Sequence, residues 1–136
     1  MLGNIIIEAA GKVENRRIVS IEGGIPQIEV TVSQTGTILA AQVSILITYL
    51  NFPNADETIY TEGNGVIMTK DGNANPLTWT GQGVAKITGQ ISKNVGSIFF
   101  NTTTNKKLSF LNNSVGVFEY FDEDHGNVRG TIWEWK

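Results

Sequence analysis

The chain has 136 residues, of which 40% are hydrophobic and 17% charged, with a net charge of −3 and a pI of about 5.1. This length suits one domain over residues 1–136, whose core needs neither disulfides nor metals to form. Because cysteine is absent, disulfides, thiolate nucleophiles and cysteine-bound metals are excluded, and the single histidine, His125, nearly excludes catalytic triads and zinc sites.

Charge and hydropathy also restrict partners and location. Basic residues run no further than the pairs Arg16-Arg17 and Lys106-Lys107, which argues against a nucleic-acid partner. No apolar run approaches the roughly 20 residues that span a bilayer. The N-terminus lacks the positive region of a signal peptide. We therefore expect a cytoplasmic protein with no membrane partner.

The first half of the chain is patterned as strands. Residues 5–9 and 18–22 predict two short strands that end at a glycine pair, and residues 28–33 alternate as a half-buried strand does. Residues 38–50 alternate as well. Their β-branched side chains favour a strand, although good helix formers at 39–42 also allow a helix.

The second half continues this pattern. Strands are predicted at residues 58–69, 77–89, 95–102, 115–121 and 128–135. The composition of residues 71–76 predicts a turn, residues 122–127 predict a hairpin loop, and residues 108–111 predict one short helical turn. The chain therefore has roughly eight strands and no long helix.

The glycines help to choose between a sandwich and a barrel, which both have short, regularly spaced strands. Gly63 with Gly65, and Gly81 with Gly83, each put two glycines on one face of a strand. Glycines are expected there when a barrel bends sharply or backbones pack closely. The sequence thus predicts an all-β fold, a closed antiparallel β-barrel of about eight strands.

Four segments carry a family resemblance: EGNGVIMTKDG at 62–72, LTWTGQGV at 77–84, LNNSVGVFEY at 111–120 and the ending WEWK. Together they resemble a group of small, uncharacterised archaeal and bacterial proteins. That group is similar in fold to the allene oxide cyclase barrel, an eight-stranded relative of the calycins and the dirigent proteins. The resemblance covers about residues 58–136 and implies an allene oxide cyclase-like, calycin-like barrel. No residue here matches a catalytic position of the cyclase.

Two polar loops have compositions that could suggest a cation site. The loop at 71–76 has the spacing of the first EF-hand ligands, but Pro76 replaces the required glycine and Gln82 the bidentate glutamate. The acidic residues 122–124 beside His125 are typical of an exposed hairpin tip, although they could hold a hard cation loosely. We predict plain turns at both places, no metal site and no cofactor.

Seven side chains are candidates to line the interior: Trp79, Phe118, Tyr120, Trp133, Trp135, Glu62 and Glu119. The charges of Glu134 and Lys136 predict that their face of the last strand is outside, which puts both tryptophans of that strand inside. Trp79 shares a face with Gly81 and Gly83. If that face points inward, a pocket next to the ring results, and if outward, the barrel is filled.

The two glutamates decide between binding and catalysis. An inward glutamate in an apolar barrel would have a raised pKa and could transfer protons, whereas an outward one is ordinary surface. The alternation of residues 115–121 puts Glu119 on the face opposite Phe118 and Tyr120. Which face points inward is left open by the sequence.

Three functions are therefore compatible with the sequence. The first is a barrel that binds an apolar small molecule, and the second is a cofactor-free isomerase or cyclase of the allene oxide cyclase type. The third is a structural protein with a filled barrel. Apolar residues on both faces of the segment 38–50 would leave Ile38, Leu46 and Leu50 exposed together, which predicts a homo-oligomer, a dimer or a trimer.

Overall fold

The alternation of apolar and polar residues along nearly the whole chain produces eight β-strands and no α-helix within the described residues. The structure is a computed structural model that describes residues 2–70, 76–101, 108–112 and 114–136. The strands are β1 (Leu2–Glu22), β2 (Ile25–Ile38), β3 (Ala41–Pro53), β4 (Ile59–Thr69), β5 (Leu77–Thr88), β6 (Ile91–Asn101), β7 (Val115–Asp122) and β8 (Asn127–Trp135).

Each strand pairs antiparallel with the strands before and after it in sequence, and β1 pairs with β8 to close the barrel. The predicted closed antiparallel barrel of about eight strands is confirmed. This order puts both chain termini and the β2–β3, β4–β5 and β6–β7 connections at one end, here called the plugged end. The other four connections lie at the opposite end, here called the mouth.

The strand β1 is longer than predicted. Residues 5–9 and 18–22 belong to one continuous strand, whose register against β2 shifts near Asn15 and again near Val19. Among the described residues, β8 pairs with β1 only as far as Lys12, so the rest of β1 pairs with β2 alone. The result is a two-stranded arm that continues past the barrel wall and turns at Gly23 and Gly24, both with positive φ.

This arm exposes aliphatic side chains to solvent. Ile18 and Ile21 are each 63% exposed, and Val19 and Ile25 are about half exposed. A two-stranded ribbon has no second layer to cover it, and by itself is marginally stable in water. The arm therefore presents an aliphatic surface that no other strand covers.

The segment 38–50 is a strand as predicted, and the helical alternative is wrong. Its start is displaced, because Ile38 ends β2 and a tight turn at Leu39 and Ala40 precedes β3. Ile38 is fully buried, so the predicted exposed patch is also wrong at that position. Leu46, by contrast, is half exposed on the outer face, and Leu50 is partly buried.

The plugged end holds a large share of the buried core residues. The predicted helical turn at 108–111 is confirmed as a 3-10 helix, Ser109–Leu111, and Leu108 and Leu111 are buried against the core side chains of the strands. Ile7, on β1, pairs with Ile38 on one side and Ile132 on the other, and all three are buried. Burial of these side chains is the main stabilising term at this end.

The mouth carries the polar turns. The predicted hairpin loop after β7 is confirmed, with a short 3-10 turn, Asp124–Gly126, in which His125 is exposed. Of the turn predicted at 71–76, residues 71–75 lie outside the described residues. No helix in the described parts of the chain is long and apolar enough to cross a membrane.

Candidate ligand-binding cavity

Strand alternation puts Trp79, Gly81 and Gly83 on the inner face of β5. The sequence left open whether this face points inward or outward, and the structure has it inward. Trp79 is buried, and its indole occupies the space above Gly65, its direct partner on β4. A Cβ atom at Gly65 would overlap that ring. The volume left open by this glycine is therefore filled by the neighbouring tryptophan.

The inner face at Gly83 is filled in the same way. A Cβ atom there would collide with the Asn94 side-chain oxygen and the Phe118 ring. Glycines thus do not leave the barrel hollow, because larger side chains from adjacent strands take their space. A cavity of about 70 Å³ remains between the described side chains, between the plugged end and the mouth.

The wall of this cavity is mostly apolar. Aliphatic and aromatic side chains contribute most of it: Ile7, Ile45, Ile47, Trp79, Ile98 and Phe118. Each comes from the inner face of its strand, where the period of two repeats the apolar residue. This part of the wall offers water no hydrogen-bond partners, which favours an apolar group against it.

Polar side chains form the rest of the wall. Asn94 on β6 donates a hydrogen bond from Nδ2 to Thr61 Oγ1 on β4 at 3.0 Å, and both side chains are buried. Gln34 on β2 is 5% exposed, and its Nε2 has no hydrogen-bond partner among the described residues. The Tyr120 hydroxyl on β7 likewise has no partner at hydrogen-bonding geometry, although it interacts with the Tyr49 phenol beside it. Buried polar atoms without partners are uncommon and call for an explanation.

Two tyrosines stand between the cavity and the mouth. The rings of Tyr49 and Tyr120 pack edge to face with centroids 5.8 Å apart. Burial raises the pKa of the Tyr120 phenol far above its ordinary value, and the adjacent Tyr49 raises it further. Burial also raises the pKa of Tyr49. Both groups therefore remain protonated near neutral pH and can donate hydrogen bonds.

An ion pair lies beyond these tyrosines. Arg16 Nη2, on the arm side of β1, is 3.1 Å from Asp122 Oδ2 at the end of β7, although β8 separates the two strands in the sheet. Burial raises the pKa of the Asp122 carboxyl, and the Arg16 guanidinium opposes that shift. The pair spans from β1 to β7 at the mouth.

Four of the seven predicted interior residues border the cavity: Trp79, Phe118 and Tyr120 from the inner faces of their strands, and Glu119 through its position between the last two. Trp133 and Trp135 do not, and their predicted inward orientation is wrong. On β8 the buried residues are Val128 and Ile132, so the tryptophans alternate to the outer face, and Trp135 is 54% exposed. Glu134 takes an inner-face position at the very end of the strand, where that face opens to solvent.

Neither glutamate points into the barrel. Glu62 is exposed, and its carboxylate accepts a hydrogen bond from the Tyr60 hydroxyl at 2.8 Å. Glu119 borders the cavity through its position between Phe118 and Tyr120, but alternation directs its side chain outward. The inward carboxylate that acid–base chemistry would use is therefore supplied by neither residue.

The polar groups of the wall were not among the predicted candidates. Gln34 follows Val30 and Val32 at the period of two, so the same alternation that predicts the strand also places Gln34 on its inner face. Thr61 and Asn94 have no such signal, because their pairing depends on β4 and β6 flanking β5, where Gly83 leaves room for the two side chains to meet. In the described residues, no group of three or more potential metal ligands comes together.

Comparison with solved structures supports the fold. The chain is similar to a conserved protein of unknown function from Rhodopseudomonas palustris, with 10% identity, a TM-score of 0.78, and coverage of 98% of this chain and 97% of that one. It is equally similar to a protein of unknown function from Clostridium acetobutylicum, with 12% identity, a TM-score of 0.79 and coverage of 98% of both chains. No family model and no curated protein matches the chain. Its structural neighbours are thus uncharacterised bacterial proteins with a similar barrel.

Proposed function

We propose that this barrel binds a compact, largely apolar small molecule in its interior. The observation that carries the proposal is the cavity of about 70 Å³ bounded by aliphatic side chains and by Trp79. Enclosed apolar sites with a few directed polar groups are the usual form of small-molecule sites. An eight-stranded barrel is wide enough to hold one such ligand.

The volume restricts the size of the ligand. An engineered apolar cavity of about 150 Å³ accommodates benzene, and the cavity here has roughly half that volume. Since benzene has six heavy atoms, the ligand, or the part of it that enters the barrel, has about three heavy atoms on that same scale. A fatty-acid chain would require Trp79 or its neighbours to move.

The isomerase or cyclase alternative has less support. The resemblance to the allene oxide cyclase barrel favours it, as does the closed eight-stranded architecture. However, cofactor-free proton transfer needs a base in the site, and Glu62 and Glu119 are directed outward. The inward groups are amides, hydroxyls and protonated phenols, which suit hydrogen bonding to a bound molecule.

A titration tests the binding proposal directly. Replacing Trp133 and Trp135 by phenylalanine leaves Trp79 as the sole tryptophan, so that its emission reports the cavity wall alone. We expect saturable emission changes with the four-carbon alkene 2-methylpropene and none with decanoate. The absence of a saturable change with any compact probe would remove the proposal and leave the filled barrel with a functional outer surface.

We also propose that two copies associate through the arm of β1 and β2. Antiparallel pairing of two β1 edges with Ile18 opposite Ile21 of the second copy also sets Arg17 opposite Glu22 of that copy. Apolar and charged residues thus match in one register, as they should in a two-fold symmetric contact. Free strand edges readily pair with another chain.

A further inference from the structure

Two unpartnered polar atoms characterise the cavity more closely than its size does. Three buried side-chain atoms in the described residues lack a hydrogen-bond partner: Gln34 Nε2, Tyr120 Oη and Thr69 Oγ1. The first two belong to residues that line the cavity. A buried polar group left unpaired costs about 1–3 kcal/mol. The barrel without a ligand is therefore destabilised by these two atoms.

Both residues border one gap in the wall, at Gly130 on β8. A Cβ atom at Gly130 would lie 3.6 Å from Tyr120 Cδ2 and 4.0 Å from Gln34 Nε2, and both are ordinary contact distances. The amide therefore reaches across from β2 to the same place that the Tyr120 ring faces from β7. One ligand group near Gly130 can be adjacent to both side chains.

Gln34 Nε2 and Tyr120 Oη both need a hydrogen-bond acceptor as their partner. An amide nitrogen is a donor only, and a phenol that stays protonated donates through its hydroxyl. A carbonyl oxygen has two lone pairs and can accept both hydrogen bonds with nothing left unpaired. An alcohol oxygen in the same place would bring a hydrogen that needs its own acceptor.

The charge of the wall also selects the ligand. Among the described residues that line the cavity there is no lysine, arginine or histidine. A carboxylate buried there would lack a counter-charge, and burying an unpaired charge is strongly unfavourable. A neutral oxygen acceptor meets both requirements.

We infer that the ligand is a neutral carbonyl compound with a compact apolar body, whose oxygen accepts hydrogen bonds from Gln34 Nε2 and Tyr120 Oη. This inference rests on the proposed function, because it assigns a chemical class to the occupant of the same cavity. The apolar body packs against the aliphatic wall, and the oxygen lies toward Gly130.

The test compares two probes that differ only at one atom. Acetone and 2-methylpropene both have four heavy atoms, close to the size that the cavity admits, and the ketone oxygen of the first replaces the terminal methylene of the second. Binding is followed by two-dimensional nitrogen–proton NMR, in which the Gln34 side-chain amide has its own pair of signals. We expect the ketone to bind about three- to tenfold more tightly than the alkene, as one to two net hydrogen bonds provide, and to shift the Gln34 signals.

Three variants make the result specific. Gln34→Leu and Tyr120→Phe each remove one unpaired polar atom, so we expect each to reduce the preference for the ketone while the free protein becomes no less stable. Ile47→Val is the matched control, because it trims the apolar wall and should change the affinity for both probes alike. A structural role of Gln34 or Tyr120 would instead appear as a loss of stability with the preference intact.

The outcomes separate the inference from the proposed function. Binding of neither probe would overturn both. Equal binding of the two probes to the wild type, or a ketone preference that survives in Gln34→Leu and Tyr120→Phe, would overturn the carbonyl assignment and retain the apolar site. If Gln34→Leu or Tyr120→Phe is more stable than the wild type and has lost the preference for the ketone, the carbonyl assignment is supported, even where the affinities are weak.

Discussion

The Trp79 indole on β5 packs against the backbone of Gly65 on β4, in the space that a side chain at position 65 would occupy. This contact joins two residues that the sequence pattern marks separately, one as a large ring and the other as a strand glycine. It explains why the barrel tolerates a tryptophan on its inner face and why the cavity is small.

Gly65→Ala should therefore destabilise the protein. The added methyl group collides with a buried ring that is held by the surrounding wall, and overpacking of this kind costs about 1–3 kcal/mol. Denaturant unfolding gives the free energy of unfolding. The control is Gly130→Ala, because a Cβ atom there meets its neighbours only at ordinary contact distances. Equal effects of the two substitutions would contradict the role assigned to the Trp79 contact.

Gly130→Ala should weaken ligand binding without weakening the fold. Its methyl group would stand between the Tyr120 ring and the Gln34 amide, where the ligand oxygen is proposed to lie. Glycine in a strand interior is itself unfavourable, so stability should stay the same or rise slightly. The measurement is the affinity for acetone, which should fall several-fold. An unchanged affinity would show that the ligand does not reach Gly130.

The turn between β2 and β3 should be easy to improve. Leu39 and Ala40 both have positive φ, a conformation that costs L-residues other than Asn and Gly about 1–2 kcal/mol each. Leu39→Asn with Ala40→Gly supplies the residues that two-residue hairpin turns prefer. We expect a gain of about 1 kcal/mol in the free energy of unfolding, within the range of such turn replacements. The same pair of residues placed at exposed positions within a strand should instead lower stability.

The Asp122 carboxyl should make stability depend on pH. Burial raises its pKa in the folded state, so the folded protein holds this proton more tightly than the unfolded chain does. The contribution of Asp122 to stability is thus largest below the ordinary aspartate pKa near 4 and declines as pH rises through the raised value. The difference in unfolding free energy between wild type and Asp122→Asn should shift in favour of the variant between pH 3.5 and pH 7.

Arg16→Met provides the second half of that test. The guanidinium of Arg16 opposes the shift at Asp122, so its removal should raise the carboxyl pKa further and move the decline to higher pH. Thermal melts across the pH series measure both variants. A wild-type curve that rises over this range relative to Asp122→Asn would show that the ion pair outweighs burial.

Association through the arm predicts a mass change on substitution. Ile18→Thr with Ile21→Thr keeps two good strand formers but removes the exposed apolar surface, and should convert a dimer into a 14.8 kDa monomer. Light scattering coupled to size exclusion at micromolar concentration measures the mass. Ile87→Thr is the control, since Ile87 is similarly exposed, at 60%, but lies on β5. A monomeric wild type would end the proposal.

The strands and their closure into a barrel follow from the sequence, because a period of two with turn residues between segments has few stable solutions once one face must be buried. The same period puts Trp79 with its two glycines, and Phe118 with Tyr120, on common faces. The same period runs from Val30 and Val32 to Gln34, so it also puts Gln34 on the inner face of β2.

Other features depend on tertiary structure. The turn at Leu39 and Ala40 has no glycine, asparagine or proline, so no local signal shows where β2 ends. The charges at the end of β8 point to the wrong face, because an inner position at the rim of a barrel is open to water. Alternation shows which residues share a face of a strand. It does not show which face is inside when both faces carry apolar residues, as the two faces of β8 do with Ile132 and Trp133.

Whether the interior is hollow or filled depends on closure of the barrel. Whether a strand glycine leaves empty space depends on which side chain from the next strand leans over it, and Trp79 and Phe118 do so here. The Thr61–Asn94 hydrogen bond and the meeting of Gln34 with Tyr120 at Gly130 join strands that are far apart in sequence. The sequence determines the sheet because local alternation and turns are encoded residue by residue, whereas the cavity is a property of contacts between side chains that only closure brings together.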